Sequence, residues 1–209
     1  MNLPNKITMG RIVLSIIILI IMLFPWYDVG YEFPKYLVMG KVTLDLKYII
    51  CGILFIIASV TDFLDGNIAR KRNIVTDFGK VMDAIADKIL VNGVLIILAC
   101  DGVLPVVIPV IIITRDTAVD CVKMIAGSKG KVVAASIWGK LKTICMMIGL
   151  SLVFFANLPF ELFNVSLGYY LVLVATVLSI YSGIQYFISN KEFIFKKMWL
   201  KNIAYHKFY

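Results

Sequence analysis

Four aspartates in one short stretch of the sequence have the types and spacing to do chemistry. Asp62 and Asp65 are three residues apart, and Asp83 and Asp87 are four apart, so on helices each pair shares one face. Neighbouring carboxylates repel one another unless cations compensate for their charge. Their oxygens suit hard divalent cations such as Mg²⁺, Mn²⁺ or Ca²⁺, and two such ions could hold a diphosphate group. The spacing therefore predicts a metal site for phosphoryl chemistry.

The residues between the two aspartate pairs suit a phosphate ligand. Gly66 allows the backbone to approach a ligand closely, and Arg70 offers a planar set of donors for phosphate oxygens. Gly79 lies near the start of the next helix, whose N-terminus favours a bound anion. The competing interpretation is that the aspartates are boundary charges paired with the basic residues 70–72. The full set of spacings, with the glycines and the arginine between them, favours the site.

The aspartates require two helices that meet at one boundary of a membrane. One apolar run precedes Asp62, another follows Asp87, and the loop between them is basic. This loop would reverse the chain, so that the two helices run antiparallel and the carboxylate pairs face each other. Placing polar catalytic groups at the end of an apolar segment is physically reasonable only if their ligand also lies at the membrane surface.

The composition predicts an all-α polytopic membrane protein. The 209 residues are 61% hydrophobic and only 16% charged, and the apolar residues are grouped in runs about as long as a bilayer requires. Six transmembrane helices are predicted, at about 7–26, 47–68, 80–100, 103–124, 139–158 and 166–188. Every second connection is basic, and Lys6 and Arg11 lie at the start of the first segment, which predicts that both termini face the cytoplasm. Residues 1–190 would form the membrane domain and 191–209 a basic-aromatic cytoplasmic tail.

Charge and cysteine usage exclude other classes of protein. The net charge of +8 does not indicate nucleic-acid binding, because the basic residues lie between apolar runs and not on amphipathic faces. Such charges are typical of topology signals and of attraction to anionic lipid. No pair among the four cysteines forms a CxxC motif, and His206 is the only histidine. The sequence therefore offers almost no residues for a zinc site or for a nucleophile activated by histidine.

The aspartate stretch resembles the signature of the CDP-alcohol phosphatidyltransferase family. The pattern D-x2-D-G-x2-A-R-x8-G-x3-D-x3-D is matched by Asp62, Asp65, Gly66, Ala69, Arg70, Gly79, Asp83 and Asp87. The start NLPNKITMGRIVLS and the later WGKLKT are also similar to family sequences, so the resemblance spans roughly residues 1–190. It implies six transmembrane helices, a homodimer, and two Mg²⁺ or Mn²⁺ ions held by all four aspartates, with Asp87 also acting as the general base.

The same resemblance implies the substrates. CDP-diacylglycerol would bind in a pocket lined by Asn5, Thr8, Gly66, Ala69, Arg70, Thr76 and Gly79. The acceptor would be glycerol 3-phosphate, giving phosphatidylglycerophosphate and CMP in phospholipid biosynthesis. Serine, inositol phosphate and phosphatidylglycerol stay open as alternative acceptors. The protein would be integral to the bacterial cell membrane, with its active site at the cytoplasmic face.

A phosphorylated acceptor needs a cationic pocket of its own. The candidates that follow the aspartate motif are Arg115, Lys123, Lys140 and Lys142. Arg115 lies within an apolar run, where an unpaired charge is costly, so it is either functional or paired with Asp116 or Asp120. Each lysine could equally be a topology signal. Asp116 and Lys123 stand where similar sequences carry glutamate and arginine, and Ala84 stands where they carry proline.

Two other functions predict sequence patterns that differ from this one. A cation transporter would place its acidic residues near the bilayer midplane and repeat its helices in matched halves, whereas these aspartates cluster at one face. A scaffold without activity should have lost at least one residue of the motif, and every one is present. The sequence therefore favours a metal-dependent transferase.

Overall fold

The fold is a bundle of helices. The computed structural model describes the backbone of residues 3–71, 77–128 and 136–205, and the side chains of residues 5–62, 66, 79, 81–128 and 136–191. In these ranges six α-helices form: α1 Leu3–Leu23, α2 Leu46–Lys71, α3 Asp77–Cys100, α4 Val107–Gly127, α5 Ile137–Phe154 and α6 Leu167–Tyr205. Two short 3-10 helices, Trp26–Val29 and Phe160–Phe163, lie in the connections. The helical prediction is confirmed, and each predicted segment overlaps one helix.

Three of the helices in the described part are long and apolar enough to cross a membrane. Their candidate spans are Asn5–Leu23, Ile137–Phe154 and Leu167–Lys191. Many of their apolar side chains are exposed, Ile20 and Val177 among them, as expected for a surface covered by lipid tails. The chain is therefore a membrane protein. Helix α6 continues to Tyr205, well past the predicted end of its apolar segment near residue 188.

The core joins helices from both halves of the chain. Helix α1 packs against α2 and α3, α2 packs against α5, and α6 packs against both α4 and α5. At the centre, the ring centres of Phe55 on α2 and Phe154 on α5 are 5.5 Å apart, and both side chains are buried. Between helices that are already surrounded by lipid, close van der Waals packing of this kind stabilises the bundle more than removal from water does.

The all-α prediction needs one correction, in the connection between α1 and α2. Strands β1 Lys35–Val38 and β2 Val42–Asp45 form an antiparallel hairpin in which Val38 is opposite Val42. Residues 39–41 connect the strands, and the amide of Lys41 donates a 3.1 Å hydrogen bond to the backbone oxygen of Val38. Met39 and Gly40, the central residues of this turn, have φ angles of +49° and +68°, the positive values that a type I′ turn requires. The methionine gave no turn signal in the sequence, which explains why the hairpin was missed.

Candidate active site

Three of the four motif aspartates meet around one buried arginine. Asp62 lies on α2, Asp83 and Asp87 lie on α3, and Arg11 reaches them from α1. Nη1 of Arg11 donates to Asp62 and Nη2 donates to Asp83, while Nη1 lies 3.7 Å from Oδ1 of Asp87. The two helices therefore bring these carboxylates together, as expected, and a cation from a third helix connects them.

The polar face of α1 explains this arrangement. Thr8, Arg11 and Ser15 are all buried, and they recur every three to four residues, so they share one face of α1. A buried guanidinium needs charged or polar partners, and the three aspartates provide them. Arg11 is fully shielded, whereas the side chains of Asp62, Asp83 and Asp87 are 27%, 43% and 39% exposed. The carboxylates thus remain open to a ligand.

The rest of the motif is described only in part. Gly66 lies one turn beyond Asp62 on α2 and Gly79 lies one turn before Asp83 on α3, both partly exposed. Asn5 is half-buried and Thr8 is buried on α1. Outside the described residues lie the whole of Thr76 and the side chains of Asp65, Ala69 and Arg70. The assignment of these residues to a pocket for CDP-diacylglycerol stays a prediction.

The described aspartates offer the right donor atoms for a divalent cation. Among the side chains that the structure describes, no group of three or more acidic, histidine or cysteine residues is arranged to hold a metal ion. However, the fourth aspartate of the motif, Asp65, lies outside that set. The oxygens of Asp62, Asp83 and Asp87 are hard donors, and the three already surround one cation, the Arg11 guanidinium. The donor set fits Mg²⁺ or Mn²⁺.

A cationic cavity of about 310 Å³ lies beside the aspartates. All four predicted acceptor residues line it, namely Arg115, Lys123, Lys140 and Lys142. Asp87 lines the same cavity, so one side chain belongs both to the acidic cluster and to the cavity wall. The wall that the structure describes carries five cationic side chains and three acidic ones. Lys88 is the fifth cation, and the acidic residues are Asp87, Asp116 and Asp120. The cavity therefore favours an anionic ligand.

Asp116 fixes two of these cations. Both of its carboxylate oxygens accept hydrogen bonds of 2.7 Å from Nζ of Lys142, and Oδ1 also accepts one of 2.8 Å from Nη1 of Arg115. Arg115 additionally donates to the backbone oxygen of Ser179 at 3.0 Å and to Oγ of Ser182 at 2.6 Å, both on α6. The predicted pairing of Arg115 with a neighbouring aspartate is thus present, and the paired arginine still lines the cavity.

Gly183 leaves the space that Arg115 occupies. A Cβ atom added at this position would lie 2.9 Å from Cγ of Arg115, closer than such atoms approach in proteins. Helix α6 therefore supplies both the hydrogen-bond acceptors and the room that hold the arginine against the cavity.

A second ion-pair group lies on the outer wall. Lys88 pairs with Asp120, and Nζ of Lys123 is 3.8 Å from Oδ1 of the same aspartate and 5.9 Å from the ring centre of Tyr186. Lys140 is exposed near the start of α5, which Ser136 caps by accepting a 3.1 Å hydrogen bond from the amide of Gly139. These lysines are more exposed than Lys142, so a ligand can recruit them at smaller cost.

Sequence reasoning missed three residues of this site. Arg11 was assigned to the topology signals and to the N-terminal stretch that resembles the family, but not to the aspartate site. Asp116 was named as a partner of Arg115 and as a departure from similar sequences, and Lys88 was given no role. For Arg11 a signal existed, because it lies within an apolar segment with Thr8 and Ser15 on the same helical face. For Lys88 and Asp116 no local pattern indicated a role, since their partners Asp120 and Lys142 lie 32 and 26 residues away in the chain.

Comparison with known proteins is consistent with this geometry. The sequence model of the CDP-alcohol phosphatidyltransferase family matches residues 1–181. The CDP-diacylglycerol–glycerol-3-phosphate 3-phosphatidyltransferase of Bacillus subtilis is 42% identical over 191 residues, which are 91% of this chain and 96% of that protein. The protein of the same name from Mycoplasma pneumoniae is 38% identical over 71% of this chain and 66% of its own length. That from Rickettsia bellii is 31% identical over 92% of this chain and 97% of its own length. With the family match extending over most of its length, the chain belongs to the CDP-alcohol phosphatidyltransferase family.

Proposed function

We propose that the protein transfers a phosphatidyl group from CDP-diacylglycerol to glycerol 3-phosphate, producing phosphatidylglycerophosphate and CMP. The observation that carries the proposal is the position of Asp87, which belongs to the aspartate cluster and also lines the cationic cavity. A general base must lie within hydrogen-bond reach of the proton it removes, so a carboxylate at the border of the cluster and the cavity suits a hydroxyl held in the cavity. The names of the relatives from Bacillus subtilis and Rickettsia bellii support the same substrates.

The charge of the cavity supports a phosphorylated acceptor. Its described wall has two more cationic than acidic side chains, which matches the double negative charge of a phosphate monoester near neutral pH. Arg115 and Lys142 are the innermost of these cations, with side chains only 15% and 10% exposed. Hydrogen bonds from charged donors to phosphate are short and strong, so these two residues are proposed to hold the acceptor phosphate.

The proposed reaction depends on two Mg²⁺ or Mn²⁺ ions. Asp62, Asp65, Asp83 and Asp87 would hold them, and the hard oxygen donors of the described members support this assignment. When bound, the ions would neutralise the diphosphate of CDP-diacylglycerol and the charge that develops on the departing CMP.

Proton transfer and orientation of the acceptor are assigned to residues of the chain. Asp87 accepts the proton of the acceptor hydroxyl, whose oxygen forms a bond to the phosphorus that carries diacylglycerol. The bond between this phosphorus and the bridging oxygen of the diphosphate breaks, and CMP leaves with that electron pair. Arg115 and Lys142 keep the acceptor oriented so that its hydroxyl points at Asp87. Arg70 is proposed to donate to the departing phosphate.

The membrane arrangement is part of the proposal. All six helices would span the membrane, with both termini and the active site at the cytoplasmic face, and two copies of the chain would form a homodimer. The three candidate spans and the basic connections support the orientation. One substrate is a lipid and the other is water-soluble, so a site at the membrane boundary suits both.

Release of CMP by the purified protein tests the proposal. The protein in detergent would be given CDP-diacylglycerol, Mg²⁺ and one acceptor at a time: glycerol 3-phosphate, serine, inositol phosphate or phosphatidylglycerol. We expect release only with glycerol 3-phosphate, and its loss in Asp87→Asn or with EDTA. The matched control is Asp101→Asn, because Asp101 is an exposed aspartate that pairs with Tyr48 away from the motif. Release with another acceptor would retain the chemistry and replace the substrate, and no release with any acceptor from folded protein would refute the activity.

A further inference from the structure

Among the side chains that the structure describes at the site, Arg11 is the most completely buried charged one, and it contacts three carboxylates at once. Its side chain has no exposed surface, and its two terminal nitrogens reach Asp62, Asp83 and Asp87. These aspartates come from α2 and α3, whereas Arg11 comes from α1. One planar guanidinium with several donors can bridge such a group, which a single ammonium could not do equally well.

Burial argues against a role for Arg11 as a topology signal. A topology signal acts through its charge at the membrane surface, where lipid headgroups and water reach it. Arg11 is shielded from both, and its helix α1 packs against α2 and α3. Its charge acts on the three carboxylates, which would otherwise repel one another across the two helices.

We propose that Arg11 is a positioning residue that serves as the internal counter-cation of the aspartate cluster. It holds Asp62, Asp83 and Asp87 together before divalent cations bind, and it shares these carboxylates with the cations afterwards. The inference rests on the metal dependence of the proposed function. Arg11 contacts Oδ1 of each aspartate, and each carboxylate has a second oxygen, so the guanidinium can remain in place while other oxygen atoms bind a cation.

Removing the charge of Arg11 should lower the stability of the metal-free protein and raise its affinity for Mg²⁺. Without the guanidinium, the three carboxylates lose the cation that they share and repel one another more strongly, so the metal-free protein loses stability. The same excess of negative charge attracts Mg²⁺ more strongly, so the cation binds more tightly and restores the loss. A residue that only fills space would not change the affinity for Mg²⁺ in this direction.

The experiment compares wild type, Arg11→Met and Arg11→Lys in detergent. Thermal unfolding is followed in EDTA and at increasing Mg²⁺ concentration, with Mg²⁺ alone as the probe. For Arg11→Met we expect a lower midpoint temperature in EDTA, a larger stabilisation by Mg²⁺ than in wild type, and half-saturation at a Mg²⁺ concentration on the order of tenfold lower. Arg11→Lys keeps the charge without the fork, so its midpoint in EDTA and its half-saturation should both lie between those of wild type and Arg11→Met.

The control is Lys142→Met, which removes another buried cation whose partner is Asp116. The midpoint temperature of Lys142→Met should fall by the same amount in EDTA and in Mg²⁺. Equal losses in both conditions for Arg11→Met, or an unchanged or higher half-saturation, would overturn the proposal. Should Arg11→Met not fold, Arg11→Lys decides alone, and half-saturation identical to wild type together with an unchanged midpoint in EDTA would refute a bridging role. Wild-type protein that releases CMP without any response to Mg²⁺ would refute this inference and leave the transferase activity standing.

Discussion

At the scale of single residues, Asp116 balances the charge of the cationic cavity. Lys142 and Arg115 both pair with it at 2.7–2.8 Å, and these two cations are largely buried. Two like charges that close together repel each other strongly when little water screens them. A carboxylate between them is therefore needed to keep both on the cavity wall.

Replacing Asp116 by asparagine should destabilise the protein measurably. The amide keeps the shape of the side chain but leaves two cations without their counter-charge. Breaking a fully buried pair costs roughly 3–5 kcal/mol, and because Asp116 is 23% exposed we expect about 2 kcal/mol here. Thermal unfolding in detergent would measure the loss.

Asp120 provides the matched control for this prediction. It also pairs with two lysines, Lys88 and Lys123, but their side chains are 44% and 47% exposed. Exposed ion pairs contribute below about 1 kcal/mol, so Asp120→Asn should change the unfolding temperature little. Equal losses for the two variants would mean that burial does not set the strength of these pairs.

At the scale of helices, α5 and α6 approach each other closely through two glycines. A Cβ atom added at Gly168 would lie 2.9 Å from the backbone oxygen of Gly149, and one added at Gly149 would lie 2.9 Å from Cγ2 of Val172. Small residues at a crossing let the backbones of membrane helices pack closely. The side chain of Asn157 also accepts a 2.8 Å hydrogen bond from the amide of Gly168 at the start of α6.

Gly168→Ala should therefore push the two helices apart. Backbone atoms cannot move aside as a flexible side chain can, and overpacking of this kind costs about 1–3 kcal/mol. We expect a lower unfolding temperature and, because α5 and α6 both line the cavity, a weaker affinity for the acceptor. Gly10→Ala on α1 is the control, since a Cβ there meets nothing within 4 Å, and it should lose no stability. Wild-type stability in Gly168→Ala would contradict the close crossing.

The elements differ in how far their sequences predict them. Helices α1 to α5 follow their predicted apolar runs closely. A segment placed in lipid must satisfy its backbone hydrogen bonds within itself, so an apolar run of this length favours a helix. The sixth predicted segment, 166–188, agrees with the candidate span Leu167–Lys191, but the sequence did not indicate that helix α6 continues to Tyr205. The hairpin was missed because its turn residue Met39 takes a positive φ that methionine rarely adopts.

At the scale of the whole molecule, the connections decide which side of the membrane each end of the bundle faces. The hairpin between α1 and α2 and the start of α5 should lie on opposite sides if all helices span. Leu37 on β1 and Ile137 at the start of α5 are both well exposed, at 63% and 80%. They are therefore suitable positions for labelling.

Cysteine labelling in intact cells would test the arrangement. Leu37→Cys and Ile137→Cys would each be made in a background where the exposed Cys100 and Cys121 are replaced by alanine. An impermeant maleimide should label position 37 in intact cells and position 137 only after the membrane is opened, because basic connections remain in the cytoplasm. Labelling of both positions in intact cells would contradict the proposed orientation.

The sequence by itself determined the helices, the membrane class, the family motif and the residues Asp62, Asp83 and Asp87. These follow from local properties, the length of apolar runs and the spacing of charges along a helix, which need no knowledge of distant partners. Only the tertiary structure decided which charges meet. Arg11 joins aspartates more than 50 residues away, and Asp116 joins Lys142 across α4 and α5. Such partners depend on how helices pack, and packing is set by contacts that lie far apart in the chain.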